Sequence, residues 1–204
     1  QLIGGFSDPE WLGQISPEFK KVRESTGEFH GAYGKRIGVQ LAQAVDKLRA
    51  DRDTRQAVIT LWNPSLDNDI NRRDYPCTVA IGLSLRHDRL NARVTMRSND
   101  VWLGLPYDMF QFTQLQLTVC NALDVEPGTY THTAWSAHLY ESNLEAALQL
   151  HEPIDDPGFT PTGFGLRGQR IEEMSSRAYR MHHYGMTTIS KMTESERWYD
   201  DAHI

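Results

Sequence analysis

Cys77 directly follows Pro76, and the segment Met96-Arg97-Ser98-Asn99-Asp100-Val101-Trp102-Leu103-Gly104-Leu105-Pro106-Tyr107-Asp108 lies one predicted hairpin further along. A thiol is a potential nucleophile. The guanidinium fork of Arg97 and the hydroxyl of Ser98 are potential phosphate donors. Together they point to covalent chemistry on a phosphorylated substrate. Arg72, Arg73 and Arg97 surround Cys77 in sequence or across the hairpin, and cationic neighbours are expected to lower a thiol pKa. Taken one at a time these residues have plainer explanations. A buried cysteine is more often inert core, and Arg-Ser in a polar turn is more often solvated. Cys120, inside an apolar run, keeps the inert reading. His138 and Tyr140, two apart at the end of an expected strand, would point the same way and could meet a sugar hydroxyl. Zinc-dependent base chemistry needs His-x-Glu with Pro-Cys-x-x-Cys, whereas Pro76-Cys77 continues Thr78-Val79-Ala80.

The elements that must position these residues follow from periodicity. Gly27 to Lys35 holds three glycines and reads as a loop. Ile37, Leu41, Ala44, Val45 and Leu48 recur at helical spacing. Ala57 to Trp62 reads as a short strand stopped by Asn63-Pro64. Val79, Ile81, Leu83 and Leu85 alternate, Arg86 to Arg89 turns, and Leu90, Ala92, Val94 and Met96 alternate back, which predicts a hairpin. Met109 to Leu123 is long, apolar and free of Gly and Pro, predicting a buried helix. Thr129 to Ser136 is β-rich, and Leu139 to Leu150 returns to helical spacing. Pro9 and Pro17 each suit the first turn of a short helix. After His151 a run of Pro and Gly predicts irregular structure.

The whole chain bounds the reading. Its 204 residues, 39% apolar and 24% charged, suit one globular domain over 1–204. A net charge of -6 argues against a general nucleic-acid surface. Two cysteines provide neither a disulfide framework nor a four-ligand metal set, so a reducing, cytoplasmic setting with no metal is expected. No apolar run reaches membrane-spanning length.

From about Gly27 to Leu150 these pieces resemble, in colinear order, the thymidylate synthase superfamily, and within it the cytidylate hydroxymethylases. Gly31-Ala32-Tyr33-Gly34-Lys35 is similar to the family's tyrosine loop. Thr54-Arg55 resembles the arginine that crosses a dimer interface to the neighbouring subunit's phosphate. Pro76-Cys77 resembles the nucleophile motif. Arg97-Ser98-Asn99-Asp100 through Leu103-Gly104-Leu105-Pro106 resembles the nucleotide-binding loop, and Ala137-His138-Leu139-Tyr140 the ribose-binding strand. The resemblance implies an α/β (α+β) fold, a mixed or antiparallel sheet packed by helices, and a homodimer formed through that sheet. It implies attack by Cys77 on C6 of a pyrimidine nucleotide, and transfer to C5 of the methylene of 5,10-methylenetetrahydrofolate. Water then yields a hydroxymethyl group, or hydride a methyl group. Arg97, Ser98 and the partner's Arg55 would hold phosphate, Asp100 and Gly104 would position the base, His138 and Tyr140 would meet the sugar, and Tyr33 would move a proton.

Three departures from the synthase pattern favour hydroxymethylation of cytosine. Asp108 stands where synthases acting on uracil have asparagine. Cytosine presents N3 as acceptor and N4-H2 as donor, and a carboxylic acid can donate to the first and accept from the second. Asp108 would also suit a helix N-cap. Thr78 replaces the usual histidine after the cysteine, and the tryptophan that shields the methylene intermediate falls near Ser16; a more open, polar site there would admit water. Gln56 replaces a second arginine, and the family's N-terminal phosphate-loop arginine and glutamate would lie upstream of Gln1. The expectation is a CMP or dCMP 5-hydroxymethyltransferase. A thymidylate synthase or uridylate-modifying relative, and a non-catalytic nucleotide- or RNA-binding protein, are the alternatives.

Overall fold

The computed structural model describes residues 29–150. The expected short helices near Pro9 and Pro17, the Ser16 position and the irregular segment after His151 lie outside them.

The first helix, α1 (Tyr33–Ala50), buries Ile37, Leu41, Ala44, Val45 and Leu48, the stripe that the spacing predicts. It begins inside the segment expected to be a loop. The glycines that signal a loop are absorbed differently: Gly34 is buried on the helix, and Gly38 breaks it with φ 38° and ψ -129°, a conformation that only glycine adopts without strain. β1 (Val58–Thr60) is followed by the single turn α2 (Pro64–Asp67), whose N-cap Asn63 accepts from the Ser65 amide at 3.0 Å.

β2 (Thr78–Arg86) and β3 (Arg89–Met96) form the predicted hairpin. His87 and Asp88 turn it with φ 52° and 57°, the paired positive φ values of a two-residue turn matched to strand twist. One detail differs from simple alternation. Thr78 pairs with Met96 but Ala80 with Thr95, so a bulge falls at Val79. Thr78 is consequently fully buried while Val79 is only half-buried. The bulge re-phases the strand one residue past Cys77, where such irregularities commonly re-aim side chains.

β4 (Asn99–Asp100) leads into α3 (Gly104–Leu123), which starts five residues earlier than its apolar run predicts. The helix carries the chain back to β5 (Glu126–Ala134), parallel to β3; parallel neighbours need such a crossover. Asp124, with φ 54° and ψ 52°, closes α3 in the left-handed conformation, and Arg49 donates to the Ala122 carbonyl at 3.0 Å, a cation at a helix C-terminus. β6 (Ala137–His138) pairs in parallel with β4, and α4 covers Glu141–Leu148.

The main sheet has the order β1-β2-β3-β5, with antiparallel neighbours except for β3 and β5. This is the mixed sheet packed by helices that the resemblance implies. α1 and α3 bury its inner face: Ile37, Leu41, Leu48, Ile59, Ile81, Leu90, Val94, Phe112 and Leu115 are all at most 2% exposed. Each such side chain contributes roughly 1.5–3 kcal/mol on burial. Among the described residues, no helix is long and apolar enough to cross a membrane.

Candidate active site

The start of β2, the ends of β3 and β5 and the first turns of α3 meet at one end of the sheet, because β2 is antiparallel to β3 and β5 is parallel to it. That topology brings Cys77, Arg97, Asn99, Asp108 and His132 together from distant parts of the chain.

Cys77 sits at the entrance to β2, half-buried against the core, and its carbonyl accepts from the Arg97 amide at 2.8 Å. The segment before it is clamped from two sides. Gly31 donates its amide to Asp74 Oδ2 at 2.7 Å and packs so closely that a Cβ there would lie 2.8 Å from the Tyr75 carbonyl carbon and 2.9 Å from the Pro76 nitrogen. Arg97 donates from Nε to the Pro76 carbonyl at 3.0 Å and from Nη2 to the Tyr75 carbonyl at 3.5 Å. Its guanidinium also lies 5.6 Å from the centre of the Trp62 ring, in cation–π range, and Trp62 stacks on Tyr75. Arg97 is therefore a clasp for the cysteine loop as well as the expected phosphate donor: two of the five N–H groups of a guanidinium are used in this way. Ser98 is half-buried beside it.

Cationic neighbours do not win at the thiol. Burial pushes the Cys77 pKa up, the Arg97 charge pulls it down, and Asp108 and Asp74 push it up again, with a raised value as the outcome. The expectation of a lowered pKa is corrected: Arg97 is the cation that acts on Cys77, and desolvation outweighs it. Thr78 is fully buried, and its amide donates to the Tyr33 hydroxyl oxygen at 3.3 Å. Tyr33 also stacks on Phe112 with ring centres 5.9 Å apart. Burial, with the nearby Asp108 and Cys77 charges, raises its phenol far above the ordinary value, so Tyr33 holds its proton in the free protein.

Asp108 is 8% exposed on the inner face of α3, in its second turn. It is not the N-cap; the residue at that position is Leu103. Asp100 serves the helix start, its Oδ1 accepting the amides of Trp102 at 2.8 Å and Leu103 at 3.2 Å. Asp108 Oδ2 accepts from Asn99 Nδ2 at 2.7 Å, and Oδ1 from Gln111 Nε2 at 2.7 Å. Burial raises the Asp108 pKa to about 6 although both amide donors oppose the rise. Gly104 approaches the same group: a Cβ there would lie 3.3 Å from Asn99 Nδ2 and 3.7 Å from Asp108 Oδ2.

His138 and Tyr140 do come together, ring edge to ring face with centres 5.1 Å apart. They are not on one continuous strand: His138 ends β6, whereas Tyr140 is the N-cap residue of α4. Pairing of Asp100 with His138 carries them to the nucleotide-loop side. Arg55 is not brought to the cysteine within this chain. It is exposed, and with Val58, Ser84, Arg86, Asn91 and Arg93 it lines a depression on the sheet face turned away from the core.

Several participants escaped sequence reasoning. Asn99 figured only within the loop motif, while Gln111, Trp62, Tyr130 and His132 carried no motif signal. A second buried polar centre also went unseen. Asp67, with a fully buried side chain, takes Arg36 in a two-pronged pair at 2.6 and 2.8 Å, His30 at 2.8 Å and the Asn63 amide at 2.7 Å. Burial favours its neutral form, but hydrogen bonds from Arg36, Asn63 and His30 outweigh that and hold the carboxyl below the usual range. Arg36 also binds the His30 carbonyl from two nitrogens and the Leu61 carbonyl, tying the tyrosine loop to the end of β1.

A half-buried thiol, a buried carboxyl, a tyrosine and an arginine thus meet at one end of a mixed sheet. The chain belongs to the thymidylate synthase family, whose model, described as "Thymidylate synthase", matches residues 10–191. Over 163 residues it is 28% identical to a deoxyuridylate hydroxymethyltransferase of Pseudomonas phage M6, covering 76% of this chain and 46% of that protein. The chain thus spans less than half the length of that relative. Its fold is similar to thermostable thymidylate synthase A from Bacillus subtilis, with TM-score 0.65 and 21% identity over 76% of this chain and 60% of that one.

Proposed function

We propose that the protein is a folate-dependent cytidylate 5-hydroxymethyltransferase acting on CMP or dCMP. The observation that carries the reading is the carboxyl of Asp108: buried, raised to about 6, and acting electrostatically on both Cys77 and Tyr33. An acid poised near neutrality can be present in either protonation state. Protonated, Asp108 donates to cytosine N3 and accepts from N4-H2. As N3 takes up positive charge, C6 becomes more electrophilic, and the Cys77 thiolate adds there. The C6–S bond forms, and the C5=C6 electron pair becomes available at C5.

Methylenetetrahydrofolate, the family's co-substrate, supplies the one-carbon electrophile when bound. The residues present fit that role through their chemistry, since a nucleophilic thiol beside an acid that can polarise the base is the pair that activation of C5 requires. After the C5 proton is lost, addition of water to the exocyclic carbon and departure of the Cys77 thiolate restore the C5=C6 bond. The net change is nucleotide plus methylenetetrahydrofolate plus water giving 5-hydroxymethyl nucleotide plus tetrahydrofolate. In this reading Tyr33, which keeps its proton in the free protein, transfers a proton, and Arg97 and Ser98 donate to the phosphate.

The similarity to a phage hydroxymethyltransferase supports capture by water. That protein is named for deoxyuridylate, which favours a second reading in which the base is uracil. Mass spectrometry of products from the intact protein, methylenetetrahydrofolate and each of CMP, dCMP, UMP and dUMP decides between them. A hydroxymethyl group on a cytosine nucleotide is the expected result; modification of uracil nucleotides alone would refute the role given to Asp108. No product from any of the four, with the protein's biological activity unaffected by Cys77→Ser, would favour a non-catalytic binding protein.

The protein acts in this reading as a homodimer through the outer sheet face, where Val58 is 52% exposed, with Arg55 reaching the partner's phosphate. Mixing inactive Cys77→Ser and Arg55→Ala proteins then restores about a quarter of the activity, because half the dimers are mixed and one of their two sites is intact. No recovery from subunits shown to exchange would remove Arg55 from the partner's site.

A further inference from the structure

The hydrogen bonds at Asp108 extend beyond the residues that meet substrate. Asn99 Oδ1 lies 3.2 Å from His132 Nε2, and His132 Nδ1 lies 2.9 Å from the Tyr130 hydroxyl. Tyr130 and His132 are two apart on β5, on the half-buried side of the strand, and Asn99 is 4% exposed. Only two directions of donation run through such a chain. In one, Tyr130 donates to Nδ1, Nε2–H donates to Asn99 Oδ1, and the Asn99 NH2 faces Asp108. In the other every donor is reversed, and Asp108 must itself donate to an Asn99 carbonyl.

We propose that Tyr130 and His132 are positioning residues that lock the Asn99 amide with its NH2 on Asp108, and so fix the hydrogen-bonding face that Asp108 presents to a pyrimidine. The claim about base choice rests on Asp108 being the base reader.

Three features support the first direction. Burial, together with the Asp108 charge, raises the Tyr130 phenol far above its ordinary value, so Tyr130 keeps a proton to donate. Burial lowers the His132 pKa, which favours a neutral ring with one N–H and one bare nitrogen. Gly104 leaves the Asn99 amide its place, since a Cβ would come within 3.3 Å of Nδ2. The other titratable groups that face Asp108 are Tyr33 from α1 and Cys77 ahead of β2. Both are uncharged while they keep their protons, so the direction of the chain is set from β5. Gln111, one turn along α3, supplies the second N–H but has no such chain behind it among the described contacts.

The test uses the intact protein and two readouts. Nitrogen-15 NMR of the His132 ring at neutral pH should show a bare Nδ1 and a protonated Nε2, and Tyr130→Phe, which keeps the ring and the packing, should mix the two tautomers. The same variant should lower the maximal kcat/KM for the cytosine nucleotide on the order of tenfold and move upward by about one unit the alkaline limb of its pH profile, on which activity falls as Asp108 ionises, because a loosened Asn99 donates less to Asp108. His132→Phe should act in the same direction and more strongly, with His132→Gln restoring part of the loss through its amide N–H. A wild-type proton on Nδ1, or a Tyr130→Phe protein with unchanged pH profile and base preference, would overturn the proposal. Turnover of uracil nucleotides alone, with the expected ring pattern intact, would overturn the base reading and the specificity claim while leaving the hydrogen-bond chain standing.

Discussion

Replacing Asp108 by asparagine separates what this carboxyl does for function from what it costs the fold. A carboxyl near 3.8 in the unfolded chain and about 6 when folded binds its proton more tightly in the folded state. Its contribution to stability is therefore greatest at acid pH and is lost as pH rises from about 4 to about 6. Two units at 1.36 kcal/mol each put the loss at about 3 kcal/mol above that window.

Asp108→Asn removes the charge but not the crowding of donors. Both carboxyl oxygens accept an amide N–H, from Asn99 and from Gln111, and an asparagine NH2 must face one of them donor to donor. Gln111 is the side that can turn, since Asn99 is held by His132. Reorienting it, or leaving a group unpaired, costs about 1–3 kcal/mol. The variant should accordingly match or slightly exceed the wild type in stability at pH 8, and lose that advantage below the window. In base choice, two reversed hydrogen bonds at about 1–3 kcal/mol each shift preference from cytosine towards uracil by on the order of 10² to 10⁴. Urea unfolding across pH 4 to 8, paired with kcat/KM on CMP, dCMP, UMP and dUMP, reads both. Parallel stability profiles for the two proteins would remove the raised pKa, and an unchanged cytosine preference would remove the base reader.

The other consequences are nearer the backbone and the thiol. With Cys77 pushed up by burial against the pull of Arg97, iodoacetamide should label it slowly at neutral pH, and Asp108→Asn should speed labelling; an unchanged rate would mean that the carboxylate does not act on the thiol. Gly31→Ala drives a Cβ into the Tyr75–Pro76 backbone, and should cost about 1–3 kcal/mol along with turnover, as Tm and kcat would show; a protein with both unchanged would deny the clamp. Arg36→Met leaves Asp67 charged and buried, for a loss of about 3–5 kcal/mol. Because the folded Asp67 pKa is depressed, that loss should shrink as pH falls and the carboxyl is protonated, and a pH-independent loss would assign it to packing instead.

The parts of the fold that repeat were legible, and the parts that make the site were those that depart from repetition. The hairpin and the α1 stripe follow from alternation and helical spacing, because a long apolar face leaves few ways to be buried. Elsewhere one local departure defeats each rule. The glycines around Tyr33 read as loop, yet Gly34 is on a helix and Gly38 supplies its break, which brings Tyr33 onto Phe112. The bulge at Val79 breaks the period of two and buries Thr78 against Tyr33. β4 and β6 have two residues each, too few for any period, yet their pairing sets Asp100 beside His138. Cys77 and Asp108 were found because they stand in contiguous motifs. His132 and Tyr130 were not, because on a strand they read as ordinary half-buried residues, and Asn99, on another strand, meets His132 only in the folded chain. A buried polar chain has no linear signature: each member is commonplace, and only the direction in which protons are shared distinguishes it. A candidate base reader chosen from motif alone is thus incomplete, since the same Asp108 with an apolar residue at position 132 would face an Asn99 amide free to turn.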